Sequence, residues 1–181
     1  HEEAVPEEVQ LVEGDIHDVR FAKHIMEQFK IDAVIHFAAS SLVGESMTNP
    51  SKYYFNNVEG SLHLLEAMRG AGVDRIVFSS TAAVYGEPEQ VPITEDSKLA
   101  PTNVYGRSKL MIEKMLADYD MAYDMRYVAL RYFNAAGASP TRDIGEDHNP
   151  ESHLIPLILK TAQGVRKQVA IFGTDYPTED G

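Results

Sequence analysis

Hydrophobic positions along this chain switch repeatedly between strand-like and helix-like spacing. Val9-Gln-Leu-Val12 is a short apolar run ending in Glu13-Gly-Asp15, and residues 18–30 then carry Phe21, Ile25 and Phe29 at helical intervals. This predicts a strand followed by a helix. Ala33-Val-Ile-His-Phe37 has the compact apolar character of a strand covered on both faces, and a loop and a long helical stretch from about residue 50 to 68 follow it. Gly70-Ala-Gly72 marks the end of that helix, because glycine takes the left-handed conformation that closes helices. Arg75-Ile-Val-Phe-Ser79 repeats the strand pattern, residues 103–118 repeat the helix, and Tyr127-Val-Ala-Leu-Arg-Tyr132 is the next strand.

Such alternation is the signature of βαβ units, whose right-handed crossovers join parallel strands. The predicted class is therefore α/β, a parallel sheet with helices on both faces. Beyond Tyr132 the pattern gives way to a Gly/Pro/Asp-rich stretch from Asn134 to Pro150, a helix near His153 to Gly164 and a short strand, Val169-Ala-Ile-Phe172. Both ends of the sequence have the look of cuts, since Tyr176-Pro-Thr-Glu-Asp-Gly181 is turn-like and brings no closing element.

Charge narrows the possible partners. With 28 acidic and 16 basic residues the formal charge is −12, which repels phosphate backbones and anionic headgroups, so neither nucleic acid nor a membrane is an expected partner. No apolar run approaches the roughly 20 residues of a membrane span. The absence of cysteine removes disulfides and thiolate metal ligands and agrees with a reducing compartment; the cytoplasm is the expected location.

In open α/β sheets ligands bind outside the carboxyl ends of the strands. Gly14-Asp15-Ile16, Phe37-Ala-Ala39, Ser79-Ser-Thr81 and Tyr132-Phe-Asn134 occupy those places. Small side chains at Ala38 and Ala39 would let a flat ring approach the backbone, and the Asp15 carboxylate could accept hydrogen bonds from a base or ribose. Tyr105 and Lys109 are four residues apart, on one helix face, where an ammonium can stabilise a phenolate and make tyrosine a proton acceptor. The same spacing fits a stripe of Tyr105, Lys109, Ile112 and Leu116 packed on the sheet, with the lysine reaching outward.

Taken together, Tyr105-x-x-x-Lys109, Ser79-Ser-Thr81 with Val84-Tyr-Gly86, and Arg131-Tyr-Phe-Asn134 resemble the extended short-chain dehydrogenase/reductase family. Val43-Gly-Glu-Ser46, Tyr53-Tyr-Phe-Asn-Asn57, Gly145-Glu-Asp147, His153-Leu-Ile-Pro156 and the stretch from Ala170 to Gly181 look like its UDP-sugar 4-epimerase branch. The resemblance implies a partial Rossmann-like NAD-binding domain over residues 1–133 and the start of a small C-terminal substrate-binding region over 134–181. It implies interconversion of UDP-glucose and UDP-galactose through transient oxidation at C4, with Tyr105, Lys109 and Thr81 as the catalytic set.

By the same likeness Tyr105 takes the proton of the 4-hydroxyl, Thr81 hydrogen-bonds that oxygen, and a 4-keto sugar turns over before reduction on its other face. Asp15 and Ile16 would flank the adenine of NAD, and Phe37, Ala38 and Ala39 would line its backbone. Asn56 and Lys109 would touch the cofactor, and Phe133 would lie beside the nicotinamide. Asn134, His153 and Leu154 would bind near the substrate diphosphate, with Ala170 and Phe172 at the uracil. A homodimer is implied through the helices near residues 50–68 and 103–118.

The sequence also departs from the family's pattern. Ser41 stands at a cofactor-facing position that is lysine in some members, and His153 at one that is asparagine in some. No glycine-rich turn opens a helix to cradle a pyrophosphate; Gly70-Ala-Gly72 closes one instead. The missing segment would supply two strands between Val9–Val12 and Ala33–Phe37, so an open sheet edge is expected near Val34, and the chain by itself is expected to hold NAD poorly.

Other readings remain. A 4,6-dehydratase would carry an Asp-Glu pair after the threonine, where Ala82 and Ala83 stand. A 4-epimerase for UDP-pentoses or N-acetylated sugars is open, as is a non-catalytic truncated module. Seven histidines are present but none forms H-E-x-x-H; His148 and His153 read as loop residues, and no metal is expected.

Overall fold

The structure is a computed structural model and describes residues 5–141, 144–149, 151–171 and 173–176. The chain divides into two compact units: Leu11–Asn134, and a second comprising His1–Gln10 with Ala135–Gly181.

The unit of residues 11–134 is built on a parallel sheet of three strands, β1 (Val34–His36), β2 (Arg75–Thr81) and β3 (Arg126–Tyr132), in that spatial order. Helix α1 (Val19–Gln28) precedes β1; its Asp18 side chain accepts the Phe21 N–H and so satisfies one of the free donors of the first turn. Between β1 and β2 lie α2 (Val43–Thr48), α3 (Pro50–Tyr53), a π-helical stretch over Tyr54–Glu59, and α4 (Gly60–Ala71). The single long helix expected from residue 50 is thus interrupted by a π-turn, and α2 forms where a loop was expected. Pro50 begins α3 because a proline needs no N–H partner in the first turn. Gly72, with φ +74°, closes α4 as predicted. Helix α5 (Val104–Tyr123) then crosses from β2 to β3.

One core holds this unit together. Met26 of α1, Leu65 and Met68 of α4, Ile76 and Phe78 of β2, and Ile112 and Leu116 of α5 form a buried cluster against which Val34, Tyr127 and Ala129 pack. The register places His36, Phe78 and Ala129 in one cross-strand row and Ile35, Val77 and Val128 in the next. Successive residues of a strand face opposite ways, so the first row meets the helices and the second does not: Ile35 and Val128 are 64% and 52% exposed. Helices were expected on both faces; α1, α4 and α5 of this unit pack on one. The physical reason is that α1, α4 and α5 share a single core cluster with one face of β2.

β1 pairs with β2 alone and is the edge of the sheet, so the open edge expected near Val34 is present. Residues 9–12 form no strand, contrary to their apolar pattern, because no strand of the described sheet takes them as a neighbour. The strand expected over 169–172 is likewise not formed over residues 169–171; Phe172 lies outside the described residues. Its unit contributes no described strand to ladder with, only α6 (Leu154–Ala162).

Candidate active site

The carboxyl end of β2 is where the candidate residues gather. Thr81 is the last residue of β2 and is buried; its Oγ1 accepts the Ala83 N–H at 3.2 Å, capping a 3-10 turn over Ala82–Val84. The start of α5 rests on this turn. A Cβ placed on Gly106 would stand 2.7 Å from the Ala83 carbonyl oxygen, so only glycine lets the helix approach so closely. Asn103 completes the entry by accepting the Gly106 N–H at 2.7 Å.

This seating brings Tyr105 to Thr81. Burial raises the Tyr105 phenol above its ordinary pKa, and a side-chain hydrogen bond with Thr81 acts in the opposite direction. Lys109 is almost wholly buried, donates to the Ser79 carbonyl oxygen at 2.7 Å, and has its pKa lowered by burial to about 8. Its Nζ stands 4.8 Å from the Phe78 ring centroid and 5.9 Å from that of Tyr105. The outward-reaching lysine is therefore excluded: this ammonium points into the sheet end. The expected lowering of the tyrosine by the lysine is not seen either, because burial dominates at Tyr105 and the lysine's hydrogen bond goes to Ser79.

His36 lies beside this group, buried, with Nε2 2.9 Å from Ser61 Oγ. Burial first, and the Lys109 charge second, lower its pKa to about 4, so it is neutral at pH 7.

The loop after β1 forms a ledge next to these residues in the chain's fold. Phe37 and Ala38 are exposed, Ala39 is half-buried and Ser41 is exposed. The ledge is fixed by Asn57, fully buried in the π-helical stretch. Its Oδ1 accepts the Ser40 N–H at 2.8 Å, and its Nδ2 donates to the Ser40 carbonyl at 3.0 Å and to Ser108 Oγ at 3.1 Å. Ser108 in turn donates to the Tyr105 carbonyl at 2.7 Å. Asn56 is half-buried and donates to Asn57 Oδ1 at 3.0 Å. Sequence reasoning named Asn56 and missed Asn57; the paired asparagines were visible, but only the π-turn shows which one is turned inward.

A second omission is the brace behind the site. Arg131 forks onto Glu113, with Nε to Oε1 at 3.1 Å and Nη2 to Oε2 at 2.8 Å, and Ser80 donates to the same carboxylate. Arg131 also donates to Tyr85 Oη at 2.9 Å. Glu113 raises the already high pKa of this guanidinium further. Both Arg131 and Tyr85 belong to motifs legible in the sequence, yet Glu113 carries no local signal.

Asp15 is exposed and accepts from His17 Nδ1 at 2.7 Å and from the His17 N–H at 2.9 Å; these bonds lower its pKa, the backbone one most. His17 stacks on Phe55 with ring centroids 4.5 Å apart, tying the turn to the π-helical stretch, and Ile16 reaches the surface of Gly60. Phe133 and Asn134 are exposed beyond β3. His153, Leu154 and Ala170 belong to the second unit and are exposed there, while Phe172 is outside the described residues.

A parallel sheet whose strand ends gather a threonine, a helix-borne tyrosine and a lysine one turn further on defines a short-chain dehydrogenase/reductase-type nucleotide-binding domain. The chain belongs to the NAD dependent epimerase/dehydratase family, which it matches over residues 1–180. It is 53% identical over 181 residues to a UDP-glucose 4-epimerase of Lacticaseibacillus casei, covering 100% of this chain and 55% of that protein. The UDP-glucose 4-epimerase of Brucella ovis, solved in complex with NAD, superposes with a TM-score of 0.91 at 50% identity over 94% of this chain and 52% of its own. That of Bifidobacterium longum, solved with NAD⁺ and UDP, gives 0.88 at 41% identity over 93% and 51%. The chain thus spans about half the length of the relatives it matches. No helix among the described residues is long and apolar enough to cross a membrane.

Proposed function

We propose that this chain carries the proton-transfer part of an NAD-dependent UDP-glucose 4-epimerase, the enzyme that interconverts UDP-glucose and UDP-galactose. The observation that carries the reading is the seating of α5 by Gly106 on the Thr81–Ala83 turn, which sets a half-buried tyrosine against a threonine with a buried lysine behind it. The family and the named relatives supply the reaction.

The residues fit the ring end of the cofactor. The exposed Phe37 and Ala38, with the half-buried Ala39, offer backbone to a flat group, Asn56 and Phe133 are assigned to the same cofactor on the family pattern, and the exposed Asp15 carboxylate is open to an adenosine. NAD bound there would supply the redox chemistry at C4 of the sugar, accepting a hydride as NAD⁺ and returning it as NADH. Thr81 Oγ1 accepts from Ala83 and shares a side-chain hydrogen bond with Tyr105, so its proton would turn from the phenol to the C4 oxygen when the sugar enters. Lys109 has used one ammonium donor on Ser79 and keeps two for a ribose. Tyr105 accepts the C4-hydroxyl proton and later returns it; its raised pKa means that the phenolate forms only when positive charge is brought to it. Asn134, His153, Leu154, Ala170 and Phe172 are assigned to the UDP moiety on the family pattern, with a division of roles between residues 1–133 and 134–181. A homodimer and a cytoplasmic location belong to the same reading.

In the enzyme that contains this chain, Tyr105→Phe is expected to keep UDP-sugar binding and to reduce turnover by at least about 100-fold, the usual worth of a positioned proton acceptor. Interconversion at a near-normal rate would rule the assignment out.

A further inference from the structure

The loop leading into α6 brings together four side chains that the proposed reaction does not use as a group. His153 Nδ1 lies 2.7 Å from Glu146 Oε1 and 2.9 Å from Glu151 Oε1, and His148 Nδ1 lies 3.2 Å from the same Glu146 oxygen. One ligand-type atom from each of these residues falls within 4.8 Å of all the others. The two imidazole rings are tilted against each other with centroids 4.7 Å apart.

Hydrogen bonding leaves this centre short of protons. A single N–H on His153 Nδ1 cannot point at two carboxylate oxygens at once, and a nearly linear bond to one forfeits the other. The Glu151 carboxylate is further committed by accepting the His153 backbone N–H at 2.8 Å, and its side chain is only 5% exposed. Two carboxylates bring a formal charge of −2, which one divalent cation would neutralise.

We propose that Glu146, His148, Glu151 and His153 form a binding site for a zinc-type divalent cation. Two imidazole nitrogens and two carboxylate oxygens are a donor set suited to zinc or its first-row neighbours, whereas magnesium and calcium prefer all-oxygen shells. Tetrahedral zinc with bonds of about 2.0–2.1 Å sets its ligand atoms roughly 3.3 Å apart. The pairs now at 2.7, 2.9 and 3.2 Å need open by only a few tenths of an ångström, and the wider pairs, up to 4.8 Å apart, would close by at most about 1.5 Å through side-chain rotation. All four residues lie within the short segment 146–153, which ends at the residue preceding α6, so the ion would pin the start of that helix. His153 caps α6 without any side-chain hydrogen bond to the helix, leaving its ring free for this role. His153 is also among the residues assigned above to the UDP moiety, but the site rests on the geometry of the four side chains and its test reads metal uptake rather than turnover.

Calorimetric titration of the 181-residue chain with zinc chloride, and separately with magnesium chloride, tests the site. One zinc per chain is expected, with no magnesium uptake. His148→Ala and Glu151→Gln are each expected to weaken zinc binding by about tenfold or more, as loss of a ligand does. His24→Ala, an exposed histidine outside the cluster, is expected to change nothing, and circular dichroism of each variant verifies its fold. Absence of zinc uptake, equal binding of magnesium, or an affinity indifferent to His148→Ala and Glu151→Gln in folded variants would overturn the proposal.

Discussion

Helices α5 and α6 differ in a way that composition alone does not foresee. α6 reads Leu-Ile-Pro-Leu-Ile-Leu and is the more apolar, yet none of its residues is buried; Leu154 and Leu159 are 63% and 56% exposed. α5 is far more polar and buries Val104, Gly106, Ser108, Lys109, Ile112, Glu113 and Leu116. The difference lies in partners. α5 faces a sheet, a capped turn and α4, and its buried polar groups all have designated acceptors or donors. α6 meets no described strand within its own unit. Burial follows from what an element can pack against, and the helix with the chemistry is the one that is held.

The contrast is most severely tested at the brace of α5. Glu113→Ala leaves the Arg131 guanidinium without its bidentate acceptor while keeping it mostly enclosed, with 22% side-chain exposure. Removing one partner of such a pair costs about 3–5 kcal/mol. Urea unfolding should show this loss, and Glu113→Gln, which keeps one acceptor oxygen, should lose less. A change below about 1 kcal/mol, the range of exposed pairs, would show that the brace is solvated and that α5 is held by its apolar face alone.

A smaller effect is expected from pH. The buried His36 has a folded pKa of about 4 against 6.5 for the free side chain. The neutral ring is favoured on folding, so its contribution is fully present above pH 6.5 and is lost as pH falls toward 4. Between pH 7 and pH 5 the linkage amounts to about 2 kcal/mol. Urea midpoints compared across that interval should drop, and His36→Gln, which bonds but does not titrate, should flatten the slope. An unchanged slope in His36→Gln would place the responsible group elsewhere.

How much of this was legible in the sequence follows the same division. β2, β3, α1, α4 and α5 were readable because their apolar residues recur with the period of a covered face. The 9–12 and 169–172 runs have the same appearance, but a strand exists only through a neighbour's hydrogen bonds, which no local pattern encodes. At the site, Tyr105, Lys109 and Thr81 were visible as a motif, and spacing alone left the lysine free to point outward. Its direction depends on the Ser79 carbonyl 30 residues away in sequence. Asn57 and Glu113 were missed because their roles exist only as long-range bonds, to Ser40 and Ser108 in one case and to Ser80 and Arg131 in the other.

The smallest expected effect falls on α6. Ile158 is 46% exposed, so Ile158→Ala removes little buried area and should change stability by no more than about 0.5 kcal/mol. The measurement is informative because of its sign in the comparison. A buried isoleucine truncated to alanine costs about 2–5 kcal/mol. If Ile158→Ala approached that figure, α6 would have a cover in solution that the isolated chain does not display. The cover could then be identified by repeating the unfolding at several protein concentrations. A loss that grows with concentration would point to a second copy of the chain; a loss independent of concentration would point to packing within one chain. Either result would make α6 the counterpart of α5 rather than its opposite.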